Sequence, residues 1–330
     1  MRSRIFFVVM ILIAAAIYAI ARTYNNEYYF FAIYTVLQYV VLATAWNILG
    51  GYTGYVNFGS AAFFAVGAYS SVVLHKLWPD VPVPLLIVVG GAVSGLIGFG
   101  MGYLTLRLRG AFFAIATLAM AVVLQTLITN WSFVGGSRGA YVIRPQKVDA
   151  SLFGDTIANF ITTVIATSYL QYLCLVMFVL AVAALTTARA IERSTLGYGF
   201  ATIRDDELAA EASGVPTLKL KLIATTLSGA FMGMAGAPFP YYISFIQPSS
   251  AFGLEYAVNS IAMPMIGGTS SWIGPLVGAV LLGSLQQWAT VNISSAVGVL
   301  LVGVLLVVFV VVAPNGLVGL FKQTFMGKKA

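Results

Sequence analysis

An all-α, polytopic membrane bundle is the fold class this sequence predicts, on three observations. Of its 330 residues 60% are hydrophobic and only 8% charged, against about a quarter charged in a soluble domain. Apolar runs recur along the chain at the length of about 20 residues that crosses a bilayer as a helix. The loops between them alternate between rich and poor in basic residues, as the positive-inside rule requires. A single transmembrane domain over 1–330 is expected.

The first apolar run, 5–21, follows Arg2 and Arg4 and ends in Ala19-Ile20-Ala21. It reads either as a signal peptide or as a retained helix, and its length favours retention. The next runs, 28–49, 58–75, 83–105, 110–130, 165–188, 219–243, 255–270, 274–290 and 297–313, bring the expected spans to about ten. If the N-terminus is cytoplasmic, so are the even-numbered loops and the C-terminus. Those segments hold Arg2, Arg4, Arg107, Arg109, Arg189, Arg193, Arg204, Lys219, Lys221, Lys322, Lys328 and Lys329, twelve of seventeen basic residues. The opposite side keeps Arg22, Lys76, Arg138, Arg144 and Lys147. Ten spans with both termini cytoplasmic is therefore self-consistent, and the net charge of +7 is a topology signal, not a nucleic-acid footprint. Two connections exceed tight turns: 131–164 outside and 189–218 inside.

Composition also excludes chemistry. Cys174 lies alone in an apolar run and His75 is the single histidine, so neither a disulfide framework nor a metal cluster is expected. No carboxylate pair or Ser/His/Asp set falls in the spans, so no catalytic residue is assigned. Glu255 opens a span, where an outer, solvated position suits it better than a place in the path; Asn259 lies one turn deeper. Pro264 is expected to kink that span.

The inner connection is the most informative stretch. Residues 189–221 carry ten of the twenty-seven charged residues, five of each sign. Leu196, Phe200 and Ile203 recur at i, i+4, i+7 on one helical face. Asp205 reads as an N-cap, with Asp206 and Glu207 in the first turn where the helix dipole favours acids. Gly214 and Pro216 read as a stop. A short helix over about 206–213 is predicted, presenting Ala209, Ala210 and Ala212. It suits a groove on a soluble subunit better than the alternative, a partnerless interfacial helix.

The run STLGYGFATIRDDELAAEASGVPTLKLKLIATTLSGAFMGMAGA resembles the cytoplasmic loop and following helix of LivM-type permease subunits, the hydrophobic amino-acid uptake family of ABC importers. WNILGGYTGYVNFGSAAFFAVGAYSSVVL resembles a second block of that family, with Asn57 in place of the usual serine and Ser60 in place of the usual histidine. MIGGTSSWIGPLVGAVLLG is similar to a third. The resemblance covers nearly the whole chain, in order. It implies that Glu207-Leu208-Ala209-Ala210-Glu211-Ala212-Ser213-Gly214 is the motif that meets the ATPase, though Leu208 intervenes in the family's E-A-A pattern. On that reading Arg204, Asp205, Glu207, Ala209, Ala210, Glu211 and Gly214 couple the chain to its motor.

GYTGYVNFGS, residues 51–60, interrupts the apolar runs without charge. Irregular backbone at membrane depth is tolerated only against protein or a water-filled path. The stretch is therefore expected to be a helix break facing the interior, beside the solute's route, with Asn57 capping the next helix. Thr53, Tyr55, Asn57, Ser60, Asn259 and Ser260 are the candidate path residues. The alternative is that Gly50, Gly51, Gly54 and Gly59 merely let helices pack closely. Gly267-Gly268 through Gly278-Ala279 echoes the block, but with 33 glycines in the chain coincidence accounts for that.

The resemblance implies a permease subunit of a bacterial inner-membrane ABC importer for branched-chain or related small amino acids, with urea or short amides as the alternative cargo. It implies a heterodimer with a second permease, two ATPase subunits and an extracytoplasmic substrate-binding protein. The chain carries no G-x-x-x-x-G-K-[ST], so it binds no cofactor itself and ATP is hydrolysed by partners. A stand-alone secondary transporter would need ionisable groups inside its spans, and few are present.

Overall fold

The computed structural model describes residues 27–105, 108, 110–143, 168–312 and 316–325. The predicted first span 5–21, Arg107, Arg109, Arg144, Lys147 and most of the outer loop lie outside these residues. The described chain is a helical bundle. In order, α1 is Glu27–Leu49, α2 Ser60–Leu77, α3 Val83–Thr105, α4 Ala111–Thr129, α5 Tyr169–Glu192, α6 Thr195–Asp205 and α7 Glu207–Ala212. Then follow α8 Thr217–Gly236, α9 Phe239–Ile243, α10 Pro248–Ala251, α11 Leu254–Gly267, α12 Ile273–Asn292, α13 Ser295–Val312 and α14 Gly316–Phe325. Two short strands, β1 (Ala140–Tyr141) and β2 (Phe245–Ile246), pair antiparallel and tie the loop after α4 to the end of α9.

Among the described residues six segments are long and apolar enough to cross a membrane: α1, α2, α3, α4, α5 and the run Thr217–Ile243. α4 turns Phe112, Ile115, Val122 and Leu127 outward, each more than half exposed. Water would not tolerate that face, whereas lipid is its natural solvent. α12 is long enough at 20 residues, but Gln286 and Gln287 make it less apolar. α11 differs from expectation. At 14 residues it extends about 21 Å, short of the ~30 Å hydrocarbon core. Pro264 lies inside α11.

The middle of the bundle is a crossing of α2, α3 and α8 made close by small residues. A methyl group on Gly67 of α2 would overlap the Gly233 carbonyl of α8. Ser94 of α3 fills the seam, its hydroxyl 3.0 Å from the Phe63 carbonyl of α2 and 2.8 Å from the Gly229 carbonyl of α8. Small residues allow this approach, and dispersion over the joined backbones supplies the attraction where lipid offers no hydrophobic drive. α1 packs on α5, α8 and α12 around this seam. α6 and α7 stand at the end of the bundle where α5 finishes and α8 begins.

Candidate functional site

The break between α1 and α2 closes its own hydrogen bonds. The Gly50 and Gly51 N–H groups donate to the Trp46 and Asn47 carbonyls at 2.7 and 3.0 Å, prolonging α1. The Thr53 hydroxyl donates to the Leu49 carbonyl at 2.6 Å. Trp46 Nε1 then donates to the Asn57 carbonyl at 2.9 Å, and the Phe58 N–H to Thr117 Oγ1 of α4 at 3.1 Å. Each of these groups thus finds its partner within the chain, as irregular backbone away from water requires. Asn57 is fully buried. Its Oδ1 accepts from the Gly59 N–H at 2.7 Å, so it caps the turn before α2, while the N-cap of α2 is Gly59, without a side-chain cap. The expected cap thus acts one step early, and Asn57 Nδ2 is left without a partner.

Tyr55 leaves the break toward the α6–α7 end. Its hydroxyl donates to Glu207 Oε2 in a short hydrogen bond. Lys221, one turn into α8, donates to Glu207 Oε1 at 2.6 Å and to the Tyr55 hydroxyl at 3.2 Å. The ammonium also lies 4.8 Å from the Tyr55 ring centre, and Phe113 of α4 meets that ring edge-on at 5.1 Å. The side chains of Lys221 and Glu207 are 3% and 13% exposed. Two opposite charges are thus buried together and hydrogen-bonded by a third group, the arrangement that lets buried charge persist. Beside the cluster a cleft of about 400 Å³ is lined by Thr53, Tyr55, Phe58, Ala114, Arg204 and Glu207, among others.

α7 is a small, well-terminated helix. Its N-cap is Asp206, whose Oδ1 accepts from the Leu208 and Ala209 N–H groups at 2.9 and 3.1 Å. The predicted cap, Asp205, ends α6 instead and pairs on the surface with Arg204 at 3.3 Å. Sequence reasoning misplaced the cap by one because α6 runs up to Asp205 and leaves a single residue as hinge. At the other end Gly214 takes φ +83°, the left-handed conformation that favours glycine. The Gly214 N–H donates to Glu211 and the Val215 N–H to Ala210, both at 3.0 Å, closing a Schellman motif. Of the predicted coupling residues, Arg204, Asp205, Ala209, Glu211 and Gly214 are exposed, whereas Ala210 is buried and Glu207 turns inward. Leu208 is 63% exposed and Tyr198 of α6 71%, two large exposed side chains that the sequence analysis did not single out. Phe200 and Ile203 are buried, and Leu196 half-buried, as their spacing predicts.

The second glycine block meets the same end. The Trp272 N–H donates to Glu192 Oε2 at 2.8 Å, and the Arg189 guanidinium lies 5.6 Å from the Trp272 ring centre. A methyl on Gly51 would come within 2.9 Å of the Thr269 carbonyl oxygen, so the two blocks lie against each other. Tyr52 joins them to α5 through a 3.3 Å bond from its hydroxyl to the Ala188 carbonyl. Burial first, then the Glu192 charge, pushes the Tyr52 phenol well above its ordinary value, so it stays a neutral donor.

Deeper in the bundle, Asn259 and Ser260 of α11 face neighbouring helices. Asn259 Nδ2 donates to Gln286 Oε1 of α12 at 3.3 Å, and the Ser60 and Ser260 hydroxyls share a 2.7 Å hydrogen bond. All four are buried. Gln286 Nε2 donates to Glu255 Oε1 at 2.9 Å, and the Tyr39 hydroxyl of α1 reaches the same oxygen at 3.4 Å. The depth of Glu255 follows from these partners. Tyr39 is twelve residues along α1 from Glu27, about 18 Å at the helical rise. Gln286 is twelve residues from Gly274 at the opposite end of α12, again about 18 Å. Glu255 therefore lies near the middle of the bundle, not at its outer end as the sequence suggested. The start of a span misled, because α11 begins at half depth.

A bundle with lipid-suited outer faces, an interior helix break and a capped helical loop at one end defines a multi-pass membrane permease. The chain belongs to the family described as the permease component of branched-chain amino acid transport systems, which matches residues 28–310. It is 29% identical over 298 residues to the high-affinity branched-chain amino acid transport permease LivM of Salmonella typhimurium, covering 84% of this chain and 67% of that one. It is 28% identical to LivM of Escherichia coli over the same shares. Against the probable permease LivH of Methanocaldococcus jannaschii it is 26% identical, covering 85% of this chain and 88% of that one. No solved structure matches the chain significantly.

Proposed function

We propose that this chain is the membrane-spanning subunit of an ATP-driven importer that carries branched-chain amino acids into the cytoplasm of a bacterium. It sits in the inner membrane and pairs with a second permease as a heterodimer. Two ATPase subunits bind its α6–α7 end from the cytoplasm, and an extracytoplasmic binding protein delivers the solute at the other. Ten crossings with both termini cytoplasmic, the first at 5–21, fit the basic residues clustered at that end.

The observation that carries this reading is the Lys221–Glu207–Tyr55 cluster. Glu207 lies in the segment expected to meet the ATPase, yet its carboxylate is spent inward, on α8 and on the α1–α2 break. The face left for a partner is Leu208, Ala209, Glu211 and the Tyr198 ring. When a partner moves that face, the buried cluster carries the displacement to the break and to α8. α7 thus works as a lever with its foot in the membrane domain. The chain binds no nucleotide in this scheme, and Thr53, Tyr55, Asn57 and Ser60 follow the motion as the wall of the path.

Co-expression with candidate ATPase subunits tests the scheme. Leu208→Arg should abolish co-purification of the ATPase while leaving the membrane bundle folded, and a cysteine at position 208 should label only from the cytoplasmic side. Labelling from outside would refute the orientation.

A further inference from the structure

We infer that Glu255 is the binding site, at mid-membrane depth, for the ammonium group of the transported amino acid. This rests on the reading of the chain as an amino-acid permease.

Three observations converge on this carboxylate. First, it sits at half depth, where a charge facing lipid is expensive and an ionisable residue faces protein or a water-filled cavity. Second, it is held but not used up. Tyr39 and Gln286 both donate to Oε1, and Oε2 takes no hydrogen bond from the described residues. The donors are themselves 5% and 4% exposed, so they form a fixed floor. Glu255 itself stands exposed at the surface of the chain. Third, no lysine, arginine or histidine among the described residues pairs with it.

An oriented carboxylate with one open oxygen and no counter-charge among the described residues is suited to a compact cation carrying several N–H donors. The α-ammonium of a zwitterionic solute is such a group. Val258 follows one turn later on the same helix face and is half-buried, offering an apolar contact for a branched side chain. The floor continues inward through Gln286 to Asn259, toward the Ser60–Ser260 pair. The surface of α11 that bears Glu255 is thereby the surface that faces the path, the space between this permease and the second one.

The test uses the full complex, with second permease, ATPases and binding protein, in proteoliposomes, with L-leucine as the probe. Absence of ATP-driven leucine uptake by the native complex would defeat the functional reading itself and leave Glu255 aside. Given uptake, Glu255→Gln should lower it about tenfold or more, with the second permease and the ATPases still co-purifying. Glu255→Asp should retain more transport than Glu255→Gln, and Tyr39→Phe, which only loosens the floor, should cause a smaller loss. Leucine uptake at the native rate by Glu255→Gln overturns the inference. So does a Glu255→Gln chain that no longer binds the second permease, since Glu255 would then be half of an ion pair between subunits. Equal loss in the Asp and Gln variants also overturns it.

Discussion

Lys221 holds its ammonium 2.6 Å from Glu207 Oε1, in a place where only 3% of its side chain is exposed. The pair joins a helix of the membrane bundle to the capped helix of the loop outside it. Opposite charges in such a place stabilise each other only while both are present. Removing one leaves the other buried and unpaired, at a cost of about 3 kcal/mol or more, whereas removing both together is often nearly neutral.

Glu207→Gln and Lys221→Met should therefore each lower the thermal unfolding midpoint of the detergent-solubilised chain, and the double variant should recover much of that loss. Differential scanning fluorimetry reads this directly. Additive losses in the double variant would mean that the two charges do not depend on each other.

The Tyr55 hydroxyl makes a different contribution. Its ring is packed against Phe113, so Tyr55→Phe should keep the shape and delete two hydrogen bonds, one to a charged partner on each side. Loss of about 1.5–3 kcal/mol is typical for such bonds, but the more telling readout is stoichiometry. If the cluster carries motion from α7 to the break, ATP hydrolysed per solute moved should rise while ATPase binding holds. A proportionate fall in both rates would assign Tyr55 to stability alone.

Membrane physics explains which parts of this architecture the sequence disclosed. The predicted spans 28–49 and 83–105 fall on α1 and α3 to within a residue, because bilayer thickness fixes the length of an apolar run. The α6 face of Leu196, Phe200 and Ile203 was equally legible from helical period. The cluster was not, since Tyr55 and Lys221 are 166 positions apart and nothing local announces that they meet. A lysine two residues into the predicted run 219–243, behind Lys219 at its start, was the available signal. Glu255 was misplaced for a related reason. Hydropathy marks where a helix starts along the chain but not the depth at which it starts, and α11 starts halfway.

The α2–α8 crossing gives a packing prediction. Gly67→Ala would drive a methyl into the Gly233 backbone, which cannot swing aside as a side chain can. Overpacking of this kind costs about 1–3 kcal/mol. Gly100 is the control, in the same bundle but with nothing within 4 Å of an added methyl. Gly100→Ala should leave the unfolding midpoint unchanged or slightly raised, and Gly67→Ala should lower it. Equal behaviour would show that the two helices can separate freely at Gly67.

The capping of α7 decides how well its outer face is presented. A helix of six residues lies far below the length at which helices persist unaided, so its ends must hold it. Asp206 satisfies two N–H groups at one end and Gly214 closes the other. Asp206→Ala removes the first, a loss of about 1 kcal/mol. Because α7 folds locally, that loss appears as a smaller fraction of chains with the face formed, and apparent affinity for a partner falls by the same fraction. Up to about fivefold weaker ATPase binding is expected, with the unfolding midpoint of the bundle unmoved. Asp206→Asn keeps an acceptor and should bind as the native chain does. Asp205→Ala, at the position the sequence alone would favour, removes only an exposed pair with Arg204 and should have little effect. Were Asp205→Ala the damaging change instead, α7 would begin one residue earlier in the assembled transporter, and its docking face would be rotated from the one described.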